Sequence, residues 1–182
     1  MDSDILPLLI FGLFIFVVIP VSIYNRFIKY RNMIEESWSG IDITLKRRAN
    51  LIPNLISAVK LYSKHESDVF SDTVKARHDS TDVATRSVEE SAITQSLTGL
   101  LAVAEAYPDL KANQNFLGLQ SSLSEVENDI LKARTVFNSA VRKNNTLVQS
   151  FPSNIIAKLF KFRNAEYFSL ELATESAVPK VN

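Results

Sequence analysis

The chain has 182 residues, a length that suits one domain with accessory segments. Its 20 basic and 20 acidic residues balance, so no surplus of positive charge points to nucleic acid as a partner. It contains no cysteine, which excludes disulfides, cysteine-ligated zinc, iron–sulfur centres and thiol nucleophiles.

Residues 5–24, ILPLLIFGLFIFVVIPVSIY, form a segment of twenty residues without a charge, of which fifteen are Ile, Leu, Phe or Val. Insertion of these residues into a bilayer is favourable by about 5 to 9 kcal/mol. Twenty helical residues also match a hydrocarbon layer about 30 Å thick. We therefore predict a transmembrane helix, with membrane-embedded residues that include Ile5, Phe11, Phe16, Ile19 and Tyr24.

A cleaved signal peptide is the rival interpretation, but it requires a positive N-terminal region and a small-residue cleavage site. The chain instead begins with Asp2 and Asp4, and no such site follows. Arg26, Lys29 and Arg31 come directly after the segment. By the positive-inside rule, we predict a single-pass anchor in the cell membrane, with the N-terminus outside and the C-terminal bundle cytoplasmic.

Apolar residues then recur every three or four positions and predict four further helices. The first is predicted to end at about Arg48, and Asn50 and Pro53 to begin a second that runs to about His78. Ser87, in an S-x-x-E pattern, predicts the start of a third helix through about residue 107. Residues 116–151 alternate over five heptads and predict the fourth.

The pattern of the fourth helix fits both a bundle core and an intermolecular coiled coil. Its flanking positions show no regular pairing of opposite charges, which favours the bundle. Trp38 is predicted to anchor the core. Asn144 is the polar residue of the apolar seam; it either fixes helix register or partner choice, or lies at a wet helix end.

These elements predict an all-α protein with an N-terminal transmembrane helix, an antiparallel four-helix bundle and a short C-terminal amphipathic helix. The expected divisions are a tail and anchor at 1–24, the bundle at 25–151, a membrane-proximal segment at 152–168 and a tail at 169–182. The membrane-proximal segment is expected either to lie among lipid headgroups or to fold back onto the bundle. Its residues of interest are Ile155, Ile156, Lys158, Leu159, Phe160, Lys161, Phe162 and Arg163.

Motifs for chemistry are weak throughout. His65 with Glu66, Asp68 and Asp72 resembles a set of metal ligands, but it has no second ligand pair at metal spacing. We predict no catalytic residue, metal or cofactor. The cations Lys46, Arg47 and Arg48 are expected at a hairpin tip, where they either complement a helix dipole or form an interaction site.

Residues 24–66, including Trp38 and the stretch LKRRANLIPNL, resemble the N-terminal signature of the LemA family. Residues 100–120 and 137–168 resemble its middle and last blocks, although Lys158 and Lys161 stand where glycine is usual. The resemblance implies a bacterial-type protein of the inner membrane with one anchor and a helical bundle, and with no established catalytic set. It suggests a scaffold that forms homo-oligomers, or an accessory role beside envelope proteases.

The leading hypothesis is therefore a non-enzymatic, membrane-anchored scaffold that self-assembles and organises membrane or partner proteins. The alternative is an accessory or adaptor subunit of a membrane protease or transport complex. A third hypothesis is an enzyme that uses His65 and its acidic neighbours. The expected partners are membrane lipid, further copies of the chain and an envelope protein, and not nucleic acid.

Overall fold

The computed structural model describes residues 5–62 and 82–169, apart from the side chains of residues 5–12 and 15. The described residues form helices and no strand, which confirms the all-α class. The helices are α1 (Ile5–Lys60), α2 (Val83–Glu105), α3 (Pro108–Lys111), α4 (Gln114–Gln149) and α5 (Ser153–Phe160). His65, its acidic neighbours, His78 and the end of the predicted second helix lie outside the described residues.

The chain divides into two compact units. The first unit consists of Met1–Trp38 and Val136–Ala165, and so contains the beginning of α1, the end of α4 and α5. The second unit consists of Ser39–Thr135 and Glu166–Asn182, and so contains the rest of α1, α2, α3 and the beginning of α4.

The second unit contains an apolar core to which α1, α2, α3 and α4 all contribute. Within it, Asp42 and Arg48 of α1 face Arg86 and Glu90 of α2 in the same order, so these two helices run parallel. Arg47 and Tyr62 face Asp129 and Asn113 in the reverse order, so the chain of α4 runs antiparallel to α1. The buried core residues are Ile52, Leu55, Ile56, Val59, Ile93, Leu97, Leu100, Ala104, Leu110, Phe116 and Leu123.

The helix end predicted at Arg48 is wrong, because α1 continues without interruption to Lys60. The buried positions 41, 45, 48, 52, 55, 56 and 59 keep three- and four-residue spacing across Asn50 and Pro53. A proline inside a helix costs about 3 kcal/mol. Four apolar residues that follow position 51 enter the same core, and each contributes about 1.5 to 3 kcal/mol. Continued burial therefore outweighs the unfavourable proline.

The start of α2 also differs from the prediction. The helix begins at Val83, and its N-cap is Asp82, whose carboxylate accepts a hydrogen bond from the backbone N–H of Thr85 at 3.0 Å. This bond and a second one from the Thr85 hydroxyl lower the pKa of the Asp82 carboxyl. Ser87 is not a cap: it is buried inside the helix, and its hydroxyl donates to the carbonyl of Val83.

In the first unit, α5 packs back onto α1 and α4. Phe27, Ile156 and Ala157 are buried together, with Leu147 and Val148 of α4 beside them. The hydroxyl of Ser153 donates to the carbonyls of Leu147 and Ser150, and so satisfies acceptors left free where α4 ends.

Helix α5 ends in a Schellman turn. The N–H of Phe162 donates to the carbonyl of Ala157, and Lys161 adopts left-handed backbone angles with φ of 60°. Glycine is the residue that favours this conformation, because a Cβ atom makes it costly. The backbone therefore explains why glycine suits position 161.

We expect Lys161→Gly to raise the free energy of unfolding by about 1 kcal/mol, since it relieves the left-handed strain. Lys158→Gly is the matched control, because it removes the same charge from inside α5 and should lower that free energy by about 1 kcal/mol. Urea unfolding of the full chain measures both changes. Equal effects from the two substitutions would contradict the role of the backbone at Lys161.

Candidate functional site

The first part of α1 presents large apolar side chains to solvent: Leu13, Phe14, Phe16, Val17, Val18, Ile19 and Val21. Phe16 is 76% exposed. Successive helical residues are about 100° apart, so the run from Phe16 to Ile19 covers every side of the helix. A helix that is apolar on all sides requires an apolar environment. Among the described residues, no helix is both long and apolar enough to span a membrane.

An aromatic cluster lies at the C-terminal end of this apolar part of α1. The ring of Tyr24 meets those of Phe160 and Phe162 edge-on, with centroid distances of 4.9 and 5.6 Å. Phe162 also stacks on Phe27 at 4.4 Å. These contacts fix α5 beside the residue at which the apolar segment ends.

Helix α5 has apolar residues on two faces. Ile156 and Ala157 are buried on the inner face, whereas Ile155 and Leu159 on the outer face are 56% and 69% exposed. Phe151, which precedes the helix, and Phe160 are also exposed. Exposed cations accompany these residues: Lys158, Lys161 and Arg163 on the C-terminal side, and Arg26 and Lys29 on α1.

Two adjacent amides of α4 hold the chain that follows α5. Asn145 donates from Nδ2 to the carbonyl of Ala165 at 2.9 Å and accepts from the same residue's N–H at 2.8 Å. Asn144 donates to the carbonyl of Arg163 and to the Asn145 side chain. Both asparagines are buried, so they fasten residues 163–165 to α4.

A network of charged side chains joins the three long helices of the second unit. The guanidinium of Arg48, 1% exposed, forms ion pairs with Glu90 of α2 and with Glu127 of α4 at 3.1 Å. It also donates to the Thr94 hydroxyl. Arg86 pairs with the other oxygen of Glu90 at 3.2 Å.

Burial lowers the pKa of the Arg48 guanidinium, while the charge of Glu127 and the hydrogen bond to it act in the opposite direction. A guanidinium remains protonated in proteins, so Arg48 is a buried cation that requires its carboxylate partners. The network therefore stabilises the alignment of the helices.

Clusters of side chains that could bind a metal or act as acid and base are scarce elsewhere in the described residues. No group of three His, Asp or Glu residues among them could hold a metal ion. A surface cavity of about 420 Å³ in the second unit is lined by Ala84, Ser87, Val88, Ser91, Ala92, Gln95, Tyr167 and Ser169. None of these described lining residues carries a carboxylate, an imidazole or a cation.

Comparison with known proteins decides the family. A model described as the LemA family matches residues 37–182, which is most of the chain. The chain belongs to the LemA family.

Several relatives of this LemA-family chain are named proteins. It is 22% identical to magnetosome protein MamQ of Magnetospirillum gryphiswaldense, over 95% of this chain and 74% of that protein. It is 23% identical to magnetosome protein MamQ 2 of Paramagnetospirillum magneticum, over 85% and 68%. It is 26% identical to protein LemA of Metamycoplasma hominis, over 88% and 74%.

The structure of this LemA-family chain separates the three cations of the predicted tip. Lys46 is exposed and pairs with Asp42, and Arg47 is partly exposed and pairs with Asp129. Arg48 is buried. None of the three closes a helix, because all lie inside α1, so the predicted dipole-capping role is wrong. An interaction role for Lys46 and Arg47 stays a prediction.

Trp38 and Asn144 have identifiable contacts in the first unit. Trp38 is half-buried against Phe137 of α4, with ring centroids 5.6 Å apart. Asn144 is buried, and it binds the chain's own backbone rather than lying at a wet helix end.

Sequence reasoning missed Glu90, Glu127 and Asn145. Two consecutive asparagines inside a long helix are a usable signal, because asparagine is a poor helix former. The two glutamates carry no local signal, since only the tertiary fold brings them to Arg48.

We expect Arg48→Met to lower the free energy of unfolding by about 3 to 5 kcal/mol, because it removes the cation that pairs with the buried carboxylate of Glu90. Arg47→Gln should change it by less than about 1 kcal/mol, since its ion pair with Asp129 is exposed. Chemical denaturation of the three proteins tests this difference. Similar costs for the two substitutions would show that the buried network contributes no more than a surface pair.

We expect Asn145→Ala to cost about 1 to 3 kcal/mol, because it leaves two backbone groups of Ala165 without their partner. Hydrogen exchange at residues 163–166 should rise, and cleavage by trypsin after Arg163 should accelerate. Thr146→Ala is the control, because that exposed side chain bonds only within α4. Unchanged exchange in the Asn145 variant would contradict the fastening role.

Proposed function

We propose that this LemA-family protein is a non-enzymatic, membrane-anchored helical scaffold that assembles with copies of itself and organises proteins at the membrane. One observation carries the anchor: large apolar side chains are exposed on every side of α1 from Phe14 to Val21. Soluble monomers rarely expose so large a continuous apolar surface. A bilayer is the environment that covers a helix all round.

The sequence of the preceding residues extends this argument. Residues 5–12 add six Ile, Leu or Phe residues and no charge, and they belong to the same helix. The region similar to MamQ of M. gryphiswaldense covers 95% of the chain, so this region contains most of the apolar segment. The embedded length we propose is residues 5–24, with Tyr24 at the interface.

The proposed orientation is single-pass, with the N-terminus outside and the helical units in the cytoplasm. Exposed Arg26, Lys29 and Arg31 follow the apolar segment and support it by the positive-inside rule. Because the wild-type chain has no cysteine, a Glu36→Cys variant carries a single thiol. In the proposed orientation this thiol lies in the cytoplasm, so its reaction with a membrane-impermeant thiol reagent in intact cells would contradict the orientation.

The use of the charged groups supports a scaffold rather than an enzyme. Among the described residues of the second unit, the buried cation Arg48 is paired with the buried carboxylate of Glu90, and this pair joins α1 to α2. The matched relatives called magnetosome proteins are named for a cellular structure and not for a reaction, which fits a structural role.

Lys46 and Arg47 are the residues we propose for contacts between copies. Both lie on the surface of α1, and their pairing with Asp42 and Asp129 is exposed and therefore weak. A partner surface that offers carboxylates can replace these intramolecular pairs at little cost. Arg48 is excluded from this role, because it is buried.

We expect native-level extraction in mild detergent to give particles that contain several copies of the chain, measured by mass photometry and mass spectrometry. Lys46→Gln combined with Arg47→Gln should reduce particle size while the unfolding free energy changes by less than about 2 kcal/mol. Lys60→Gln with Lys111→Gln is the control, since both lysines are exposed and lie elsewhere on the unit.

A strictly monomeric species without a co-purifying protein would overturn the scaffold. One foreign protein at fixed stoichiometry would instead support the adaptor role beside a membrane protease or transport complex. If the particles contain several copies and the double substitution does not change their size, the scaffold proposal stands, but Lys46 and Arg47 do not form its contacts.

A further inference from the structure

We propose that the outer face of α5 is a second membrane contact, which binds the surface of a bilayer that contains anionic phospholipid. The inference rests on the proposed anchor and deepens it, since it names a second contact and the lipid class. The outer face is defined by Ile155 and Leu159, and exposed Phe151 lies just before the helix. Lys158, Lys161 and Arg163 are the cations that accompany this face.

Helix α5 has more apolar side chains than its contacts with α1 and α4 bury. Ile156 and Ala157 fill the contact with α1 and α4, and Phe162 stacks on Phe27. Ile155 and Leu159 lie one helical turn apart on the opposite face, and both are more than half exposed. Phe151, which precedes the helix, is 80% exposed. An eight-residue helix with apolar side chains on both faces thus has one face covered by protein and one uncovered.

The position of α5 identifies what covers the second face. Its Phe160 and Phe162 contact Tyr24, the residue that ends the apolar segment of α1. Aromatic residues at the end of a membrane-spanning helix lie at the level of the lipid headgroups. Tyr24 therefore places α5 at the height at which an interfacial helix binds.

Charge complementarity selects the lipid. Five exposed cations lie around this aromatic cluster: Arg26, Lys29, Lys158, Lys161 and Arg163. In the described part of the first unit, carboxylates appear only from Glu35 onward along α1. Glu35 lies about 1.7 helical turns beyond Lys29. A basic patch beside an apolar face attracts anionic headgroups.

The fold holds this surface in place. Asn144 and Asn145 fasten residues 163–165, and the Schellman turn at Lys161 ends the helix at a fixed point. Because α5 is already folded against α1 and α4, its outer face needs no ordering step before it meets lipid. The anchor also keeps α5 next to the bilayer, which gives it a high effective concentration there.

The test uses the absence of cysteine from the chain, which allows single labels in the full-length protein. Spin labels are placed at Ile155→Cys and, separately, at Leu159→Cys, so that each variant retains the other apolar residue. Phe16→Cys reports on the anchor, and Glu36→Cys reports on water. The proteins are reconstituted in nanodiscs of phosphatidylcholine alone or with 30 to 40 mol% phosphatidylglycerol, and collision with oxygen and with a water-soluble nickel complex is measured.

With phosphatidylglycerol, we expect the labels at positions 155 and 159 to favour oxygen over nickel, as the label at position 16 does, while that at position 36 favours nickel. In phosphatidylcholine alone, the ratio of immersed to water-exposed label at position 159 should fall about fivefold or more, since each cation near an anionic surface contributes roughly that factor. Replacing Lys158, Lys161 and Arg163 by glutamine in the Leu159→Cys variant should abolish the response to phosphatidylglycerol.

Three results would overturn the inference. If the labels on α5 stay in water while that at position 16 is immersed, α5 does not bind the bilayer, and the anchor stands. If the label at position 16 is also in water, the proposed anchor fails as well. If the labels on α5 are shielded from both reagents and show spin–spin broadening that dilution with unlabelled protein removes, a second copy covers this face instead of lipid.

Discussion

The arrangement of the second unit depends on the buried guanidinium of Arg48. A cation that has lost its water must be matched by carboxylates, and these come from Glu90 of α2 and Glu127 of α4. Three helices are therefore aligned by one side chain. Apolar packing alone tolerates sliding between helices, whereas a displacement that separates Arg48 from its partners leaves a charge buried without compensation.

The same residue explains what could be predicted from the sequence. In α4, unbroken three- and four-residue spacing predicted residues 116–151, and the helix runs from Gln114 to Gln149. In α1, Arg48 occupies a core position, and its charge interrupts the apolar pattern of the sequence there. Asn50 and Pro53 then resembled a new helix start, although the buried positions on both sides remain in phase. No such sequence pattern precedes Lys60, where α1 ends.

The residues of the candidate surfaces were predictable to different degrees. The apolar and basic residues of α5 follow from composition, and the structure adds which of them are covered: Ile156 faces protein, while Ile155 and Leu159 face outward. The two expectations for this segment are thus compatible, because one face folds back and the other stays free. The fastening of the chain by Asn145 was beyond reach, since it depends on backbone atoms twenty residues away.

The aromatic cluster of the first unit has a consequence for the order of events during synthesis. Phe27 is made early, and its stacking partner Phe162 follows 135 residues later. At about 5 to 20 residues per second, translation separates the two by roughly 7 to 27 s. Throughout that interval the N-terminal helix lacks the partners that cover Tyr24 and Phe27. The first unit is therefore completed only after Phe162 has been made, although its residues in α1 are translated long before.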